Sequence, residues 1–506
     1  MTPRECWLRP FVVTAELLVV VASNASCSPR AAETERGERP LEVVVSTEAA
    51  TLDPRFATRS LDVKITRLVH AGLAGLDPDS LEPVPLVAES WRFVDERTLD
   101  VTLRPGVTFH SGRPLRPEDV CATLAAVKNP ALGSPHRAVV EAIGSCTPLG
   151  ARALSIALAH PRATLLSDLE IPILRADEAS APPRPDGALD GLGPFAIARV
   201  LPGDVALEPA STGLMARPRH GVVVRTVRDE NARVERLLAG RSDIAPNSVS
   251  PTLLPELDGH DGLDVVARPG ANVTYLLFQN DRAPFTNVAV RRAVAEALDR
   301  ERLTKWLLAG RATVANSLLP PGHWAYGEVP PVVFSPSEAR AVLSGLAPIT
   351  LLTGADRSRV TLARAMAQML GDAGLTTNVV PLDVGVLFSR LDAGDFDMAV
   401  LQIPELTEPN VLRWFFHPHG VPGEGGEGKN RARYRDAKAG ALLDDAALVS
   451  DRATRAADYR AFATLFAEDM PVVPLFHEDQ VAVVSTRARG FVPSAEGRWL
   501  SLARLE

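Results

Sequence analysis

Residues 85–124 read PLVAESWRFVDERTLDVTLRPGVTFHSGRPLRPEDVCATL, and this stretch decides the fold. Between Thr98 and Leu103, apolar Leu99, Val101 and Leu103 alternate with Thr98, Asp100 and Thr102. That period of two sets one face of a strand on a core. Pro105-Gly106 turns the chain, because proline presets φ and glycine accepts a positive φ. The pattern predicts a second short strand over Val107–His110, with Ser111-Gly112 closing another turn. A helix is predicted from Arg116, with Pro117 in the first turn, where its missing N–H costs nothing. Glu118 and Asp119 then sit at the positive end of the helix dipole. These elements make one small module, and their physics alone says no more.

Working outward, a chain of 506 residues is too long for one core, and about three domains are expected. A hydrophobic content of 46% with 23% charged residues describes an ordinary globular protein. A net charge of −8 and the lack of a Lys/Arg run exclude a nucleic-acid surface. At the start, Arg4 and Arg9 precede an apolar run over Phe11–Ala22, and small residues at 23–26 lead to Cys27. This is the layout of a secretory signal over residues 1–26. Cys27 after Ala25-Ser26 is the expected lipidation site, the other reading being simple secretion with Cys27 lost or free. Residues 27–39 then form a polar tether. With Cys6 in the signal and Cys27 acylated, Cys121 and Cys146 remain as a pair in an oxidising compartment. A disulfide is expected, against the alternative of two buried thiols.

Further elements follow from local pattern. Leu41–Ser46 and Val273–Asn280 read as strands, and Leu61–Leu73 as a helix. Asn287 is placed to cap a helix that begins at Val288 and ends at Gly310. Ile349–Thr353, a helix over Leu362–Leu370 and Thr376–Pro381 form a βαβ unit, which implies parallel pairing.

The segments LVAESW (86–91) and DERTLDVTLRPGVTFHSGRPLRPEDV (95–120) resemble the signature of the family 5 extracellular solute-binding proteins, the oligopeptide, dipeptide and nickel receptors of ABC importers. GLGPF at 191–195, VRRAVAEALDRERL at 290–303 and GDFDM at 394–398 are similar to further family segments. The resemblance covers nearly all of the chain after the signal. It implies an α/β, periplasmic binding protein-like fold with two main lobes joined by a hinge plus an additional lobe. Lobe I is then expected from 40–58, 188–272 and 478–506, lobe II from 59–187 and lobe III from 273–477. A small ligand, most simply a short peptide, is expected between lobes I and III, for delivery to a membrane permease. A monomer is expected, anchored to the membrane by lipid, with no cofactor, no metal and no catalysis.

The resemblance also implies site residues. Glu405 stands where dipeptide receptors carry the aspartate that holds the ligand's ammonium, and Glu408-Pro409-Asn410 stand for the family's Asp-Pro-Asp. The carboxylate here is one methylene longer, and the aromatic residue before it is absent. Arg357, in the loop before the predicted Leu362 helix, stands where those receptors pair the ligand's carboxylate. A guanidinium suits that task because its planar fork grips both oxygens. Asn410, Arg413 and Trp414 are the remaining candidates for the same cleft.

Rival chemistries find little support. The glycine-rich run 423–430 has Asn430 where a P-loop needs Ser or Thr, and Glu424 and Glu427 would repel phosphate. His417-Pro418-His419 has no third ligand cluster beside it. No G-x-S-x-G elbow or H-E-x-x-H helix occurs, which disfavours a secreted hydrolase. A sensor or scavenger of the same fold is the other alternative.

Overall fold

The computed structural model describes residues 39–426 and 428–506, so the signal and the Cys27 lipidation site lie outside the described residues. Three larger sheets organise the chain. The first has seven strands in the order Leu263–Arg268, Gln480–Ser485, Ile244–Pro246, Leu41–Val45, Val222–Thr226, Asp204–Pro209 and Phe195–Leu201. Its central strand Leu41–Val45 is buried along its whole length and runs parallel to both neighbours, as the β-branched run Val43–Val45 suits. Helix Ser60–Val69 buries Ile65, Leu68 and Val69 in the same cluster as Val43 and Val224. It therefore packs on the seven-stranded sheet, although the sequence boundary at residue 58 assigned it to lobe II.

The second sheet is antiparallel, in the order Ala88–Asp95, Thr98–Leu103, Ala153–Leu158 and Ile143–Pro148. Leu99, Val101 and Leu103 are buried here, as their alternation requires. Arg116 precedes helix Pro117–Lys128 without capping it through its side chain, and the Asp119 carboxylate instead accepts from the Arg116 N–H at 2.9 Å. A disulfide joins Cys121 on this helix to Cys146 on strand Ile143–Pro148. The predicted strand at Val107–His110 is instead a tight loop, held by one bridge between Thr108 and Pro114 and by the Phe109 N–H bonded to the Arg113 carbonyl at 2.9 Å. Two turns this close together leave no length for a ladder.

The third sheet has six strands in the order Ala312–Val314, Val472–Glu478, Val273–Phe278, Met398–Ile403, Ile349–Gly354 and Thr377–Leu382. Val273–Phe278 is buried on both faces. Val273, Tyr275 and Leu277 enter one cluster, and Leu276 and Phe278 enter the other. Ile349–Gly354 and Thr377–Leu382 pair in parallel across helix Arg357–Asp372, which is the predicted βαβ unit. Asn287 caps its helix by accepting from the Ala289 N–H, but that helix stops at Glu296. Asp299 caps a new helix, Arg300–Leu307, by accepting from the Arg302 N–H, so a second cap breaks the run predicted to reach Gly310.

The seven- and six-stranded sheets are joined covalently at two places, residues 269–272 and Asp479. The two crossings touch. Asn272 donates through Nδ2 to the Glu478 carbonyl at 2.7 Å, and its Oδ1 accepts from the Glu478 N–H at 2.9 Å. A Cβ at residue 270 would come within 2.1 Å of the Glu478 carbonyl oxygen, so this close approach requires Gly270. Two adjacent crossings with few backbone degrees of freedom are the construction of a hinge.

Candidate functional site

A cleft of about 620 Å³ opens between the seven- and six-stranded sheets, with the crossing residues Asn272, Glu478 and Asp479 in its lining. Helix Arg357–Asp372 brings its N-terminus to one wall. The Asp356 Oδ1 caps it by accepting from the Arg359 N–H at 2.9 Å. Arg357 is thus the first residue of the helix, and not part of a preceding loop, because the cap lies one residue before it. Its side chain is exposed on the cleft wall and has no ion-pair partner among the described residues. Arg359 behaves differently. Its Nη1 lies 3.3 Å from the Glu478 Oε1 and donates to the Thr274 Oγ1 at 3.2 Å. Gln402 donates to the same Glu478 oxygen at 3.0 Å, so Arg359 fastens the helix to the crossing strands.

Glu405 follows strand Met398–Ile403 and also lines the cleft, with 28% of its side chain exposed. Its carboxylate is already countered. Arg498 Nη2 lies 3.9 Å from Glu405 Oε2, and burial lowers the Lys64 ammonium below its usual range while the charges of Glu405 and Glu496 offset part of that shift. Arg498 is buried and also grips Glu170 through both terminal nitrogens, one at 3.1 Å. Arg67 donates to the Glu170 carbonyl from helix Ser60–Val69. A set of three cations and three carboxylates thus draws the three sheets' segments together behind the cleft.

Glu405 stands where this cleft meets a second cavity of about 440 Å³, which Asn410 and Trp414 line. Within it Glu408 is ion-paired with Arg455 and accepts from the Ser167 hydroxyl at 3.3 Å. Burial pushes the Glu408 and Asp168 carboxyls up, and the neighbouring Arg455 and Arg162 respectively pull them back. Asn410 Oδ1 is buried without a hydrogen-bond partner among the described residues, and Trp414 is about half exposed. Arg413 lines neither cavity. Its Nε donates to Asp444 Oδ1 at 2.7 Å, on helix Ala437–Leu448. The Asp444 Oδ2 also receives His417 Nε2 at 3.1 Å, and among the described residues no cluster of three or more His, Cys, Asp or Glu could hold a metal ion.

Sequence reasoning missed the opposite wall. Lys64, Glu496 and Trp499 line the cleft from the seven-stranded side. The Gly497-Arg498-Trp499 turn carries no periodicity, and only its position late in a chain that must return to the first sheet hinted at a role. Among the described residues, no helix is long and apolar enough to cross a membrane.

The family profile "Bacterial extracellular solute-binding proteins, family 5 Middle" matches residues 82–422. The "Probable D,D-dipeptide-binding periplasmic protein DdpA" of Escherichia coli (strain K12) is 24% identical over 484 residues, covering 90% of this chain and 92% of that protein. Among solved structures, the nickel–histidine complex of NikZ from Campylobacter jejuni aligns with a TM-score of 0.79 at 21% identity, over 92% of this chain and 99% of that one. The oligopeptide-binding protein AppA from Bacillus subtilis, solved with a nonapeptide, aligns with a TM-score of 0.76 at 22% identity, over the same shares of the two chains.

Proposed function

This chain belongs to the family 5 bacterial extracellular solute-binding proteins, and we propose that it captures a short peptide or peptide-like zwitterion for an ABC importer. The seven-stranded sheet with its helix serves as lobe I, residues 273–477 as lobe III, and the segment carrying the four-stranded sheet as lobe II. Ligand enters the cleft between lobes I and III, and rotation about residues 269–272 and 479 closes it. No bond is made or broken. The closed form docks on a membrane permease, with the receptor monomeric and tethered through a lipid on Cys27.

The observation that carries this reading is Arg357, a cation on the cleft wall with no ion-pair partner among the described residues. A carboxylate brought to it gains a charge-assisted, two-pronged contact at a helix N-terminus, where the dipole also favours an anion. Glu405 on the same wall takes the ammonium, sharing its charge with Lys64 and Arg498. Asn410 and Trp414 extend the site into the second cavity, where a longer ligand would run. Arg413, engaged by Asp444, contributes through its helix and makes no ligand contact. Dipeptide-binding relatives support a ligand with these two charged ends.

The test is native mass spectrometry of the protein released from the cell envelope, followed by calorimetry of what it carries. A retained peptide that loses affinity on C-terminal amidation supports the reading. A retained sugar or metal chelate, or indifference to amidation, overturns the peptide assignment.

A further inference from the structure

Two buried polar side chains and one half-buried lysine on the seven-stranded wall line the cleft with bonding capacity unused. Glu496 is 5% exposed, and its Oε2 has no hydrogen-bond partner among the described residues. Trp499 is 2% exposed, and its Nε1–H is likewise unpartnered. The Lys64 ammonium lies 5.7 Å from the Trp499 ring centroid and makes no hydrogen bond to any described residue. All three line the cleft. Buried polar groups left this way cost about 1–3 kcal/mol each, so a native structure keeps them where a partner arrives.

The backbone fixes their arrangement. Gly497 has φ +80°, and a Cβ there would stand 2.6 Å from Gln480 Oε1 and 3.4 Å from Lys64 Nζ. The turn through residues 496–499 is therefore pressed against Lys64 and against strand Gln480–Ser485. Gln480 in turn accepts from the Asn247 side-chain amide, which ties the turn to the sheet.

Charge then selects what can dock. Lys64, Arg67 and Arg498 stand against Glu170, Glu405 and Glu496, three cations with three carboxylates. At this end of the cleft Lys64 and Glu496 offset each other, so a further charge set between them would go uncompensated, whereas Glu405, 28% exposed on the opposite wall, stays open to a ligand ammonium. A neutral group that both accepts and donates suffers no such penalty. The donors on offer are Lys64 Nζ and Trp499 Nε1, and the acceptor is Glu496 Oε2.

We propose that Lys64, Glu496 and Trp499 form a subsite for an uncharged amide of the ligand, its carbonyl oxygen accepting from Lys64 and Trp499 while its N–H donates to Glu496. In a peptide this amide is a backbone peptide bond, read without regard to the side chains on either side of it. Ligand charges are left to the six-stranded wall, and an amide held here fixes the ligand's register against lobe I. The inference rests on the peptide reading above, which it deepens.

The test incubates the full chain with a peptic digest of casein and identifies retained peptides by mass spectrometry. The most strongly retained peptide is resynthesised with each backbone amide replaced in turn by an ester, which removes one N–H. One ester position should weaken binding to the wild type by about tenfold, and binding to Glu496→Leu by less than about threefold. Trp499→Phe, which keeps a ring and removes the indole N–H, should weaken the parent peptide by about three- to tenfold with its thermal midpoint unchanged. The second variant decides the matter if Glu496→Leu fails to fold. Equal ester penalties in wild type and variant, or an unaltered Trp499→Phe, overturn the subsite while leaving the peptide reading intact. If no peptide is retained by the wild type, the peptide reading falls and the subsite with it.

Discussion

The two walls of the cleft are built on opposite electrostatic plans. On the six-stranded wall Arg357 projects from a helix N-terminus into solvent, without an ion pair among the described residues. On the seven-stranded wall Glu496 and the neighbouring Arg498 are buried and Lys64 is half-buried, in a set that Glu170 and Glu405 complete. An exposed, unpaired cation adds little to folding, because water solvates it, and is free to gain on binding. A buried, balanced set is the reverse. It holds the lobes in place and gives up stability if any member is lost. Charge in this cleft is therefore divided between a wall that recognises and a wall that holds.

The sharpest way to break that contrast is to delete one arginine from each wall. Arg498→Ala leaves Glu170, Glu405 and Glu496 without their shared buried cation, and should cost about 3–5 kcal/mol in urea unfolding. Arg357→Ala should change stability by less than about 0.5 kcal/mol. Equal losses in the two variants would erase the distinction between the walls.

Binding should rank the same residues in the other direction. For the peptide found to bind, Arg357→Ala should cost about 1.5–3 kcal/mol, roughly ten- to a hundredfold in affinity, with no further loss on C-terminal amidation. Glu405→Gln should cost less than Arg357→Ala, because Arg498 already stands 3.9 Å from the carboxylate and Lys64 shares its field. Calorimetry of both variants that found Glu405 to be the dominant anchor would reverse the assignment of roles.

The smallest effect concerns the crossing that joins the walls. Burial depresses the His477 imidazole to about 4, with its Nδ1 against the Asn272 carbonyl partly opposing the shift. The unfolded chain takes up this proton near pH 6.5, and the folded chain only near 4. Protons thus favour the unfolded state in between, and stability falls as the pH drops through that window. At pH 5.5 the loss from this one group is on the order of 1 kcal/mol. Buried His70, depressed to about 3, and His323, depressed to about 4, act in the same direction. Denaturant titrations from pH 7 to 4.5 should show a shallower acid slope for His477→Asn than for the wild type. An unchanged slope would mean that the crossing does not take part.

Much of the fold was legible in the chain. The alternation at Thr98–Leu103, the Asn287 cap and the parallel βαβ pairing around helix Arg357–Asp372 all follow from neighbours within a few turns. Misreadings arose where two local signals competed. Asp299 was a second cap inside what read as one helix, and the close turns after Pro105 left no strand at Val107–His110. Arg357 and Glu405 were legible as candidates through family resemblance, and both line the cleft. Arg413 was a candidate as well, but it lines neither cavity, and its partner Asp444 on another helix could not be read from local sequence.

By itself the sequence determined the elements, their caps and the family, because periodicity and capping depend on contacts a few residues apart. Only the tertiary structure decided which charges meet. Helix Ser60–Val69 went to the seven-stranded sheet and carried Lys64 and Arg67 with it. The return of the chain through Gln480–Ser485 then set Glu496, Arg498 and Trp499 beside them. Sheet order brings residues from opposite ends of the chain into one low-dielectric space. There the nearest charge, and not the nearest residue in sequence, decides whether a side chain is free to bind.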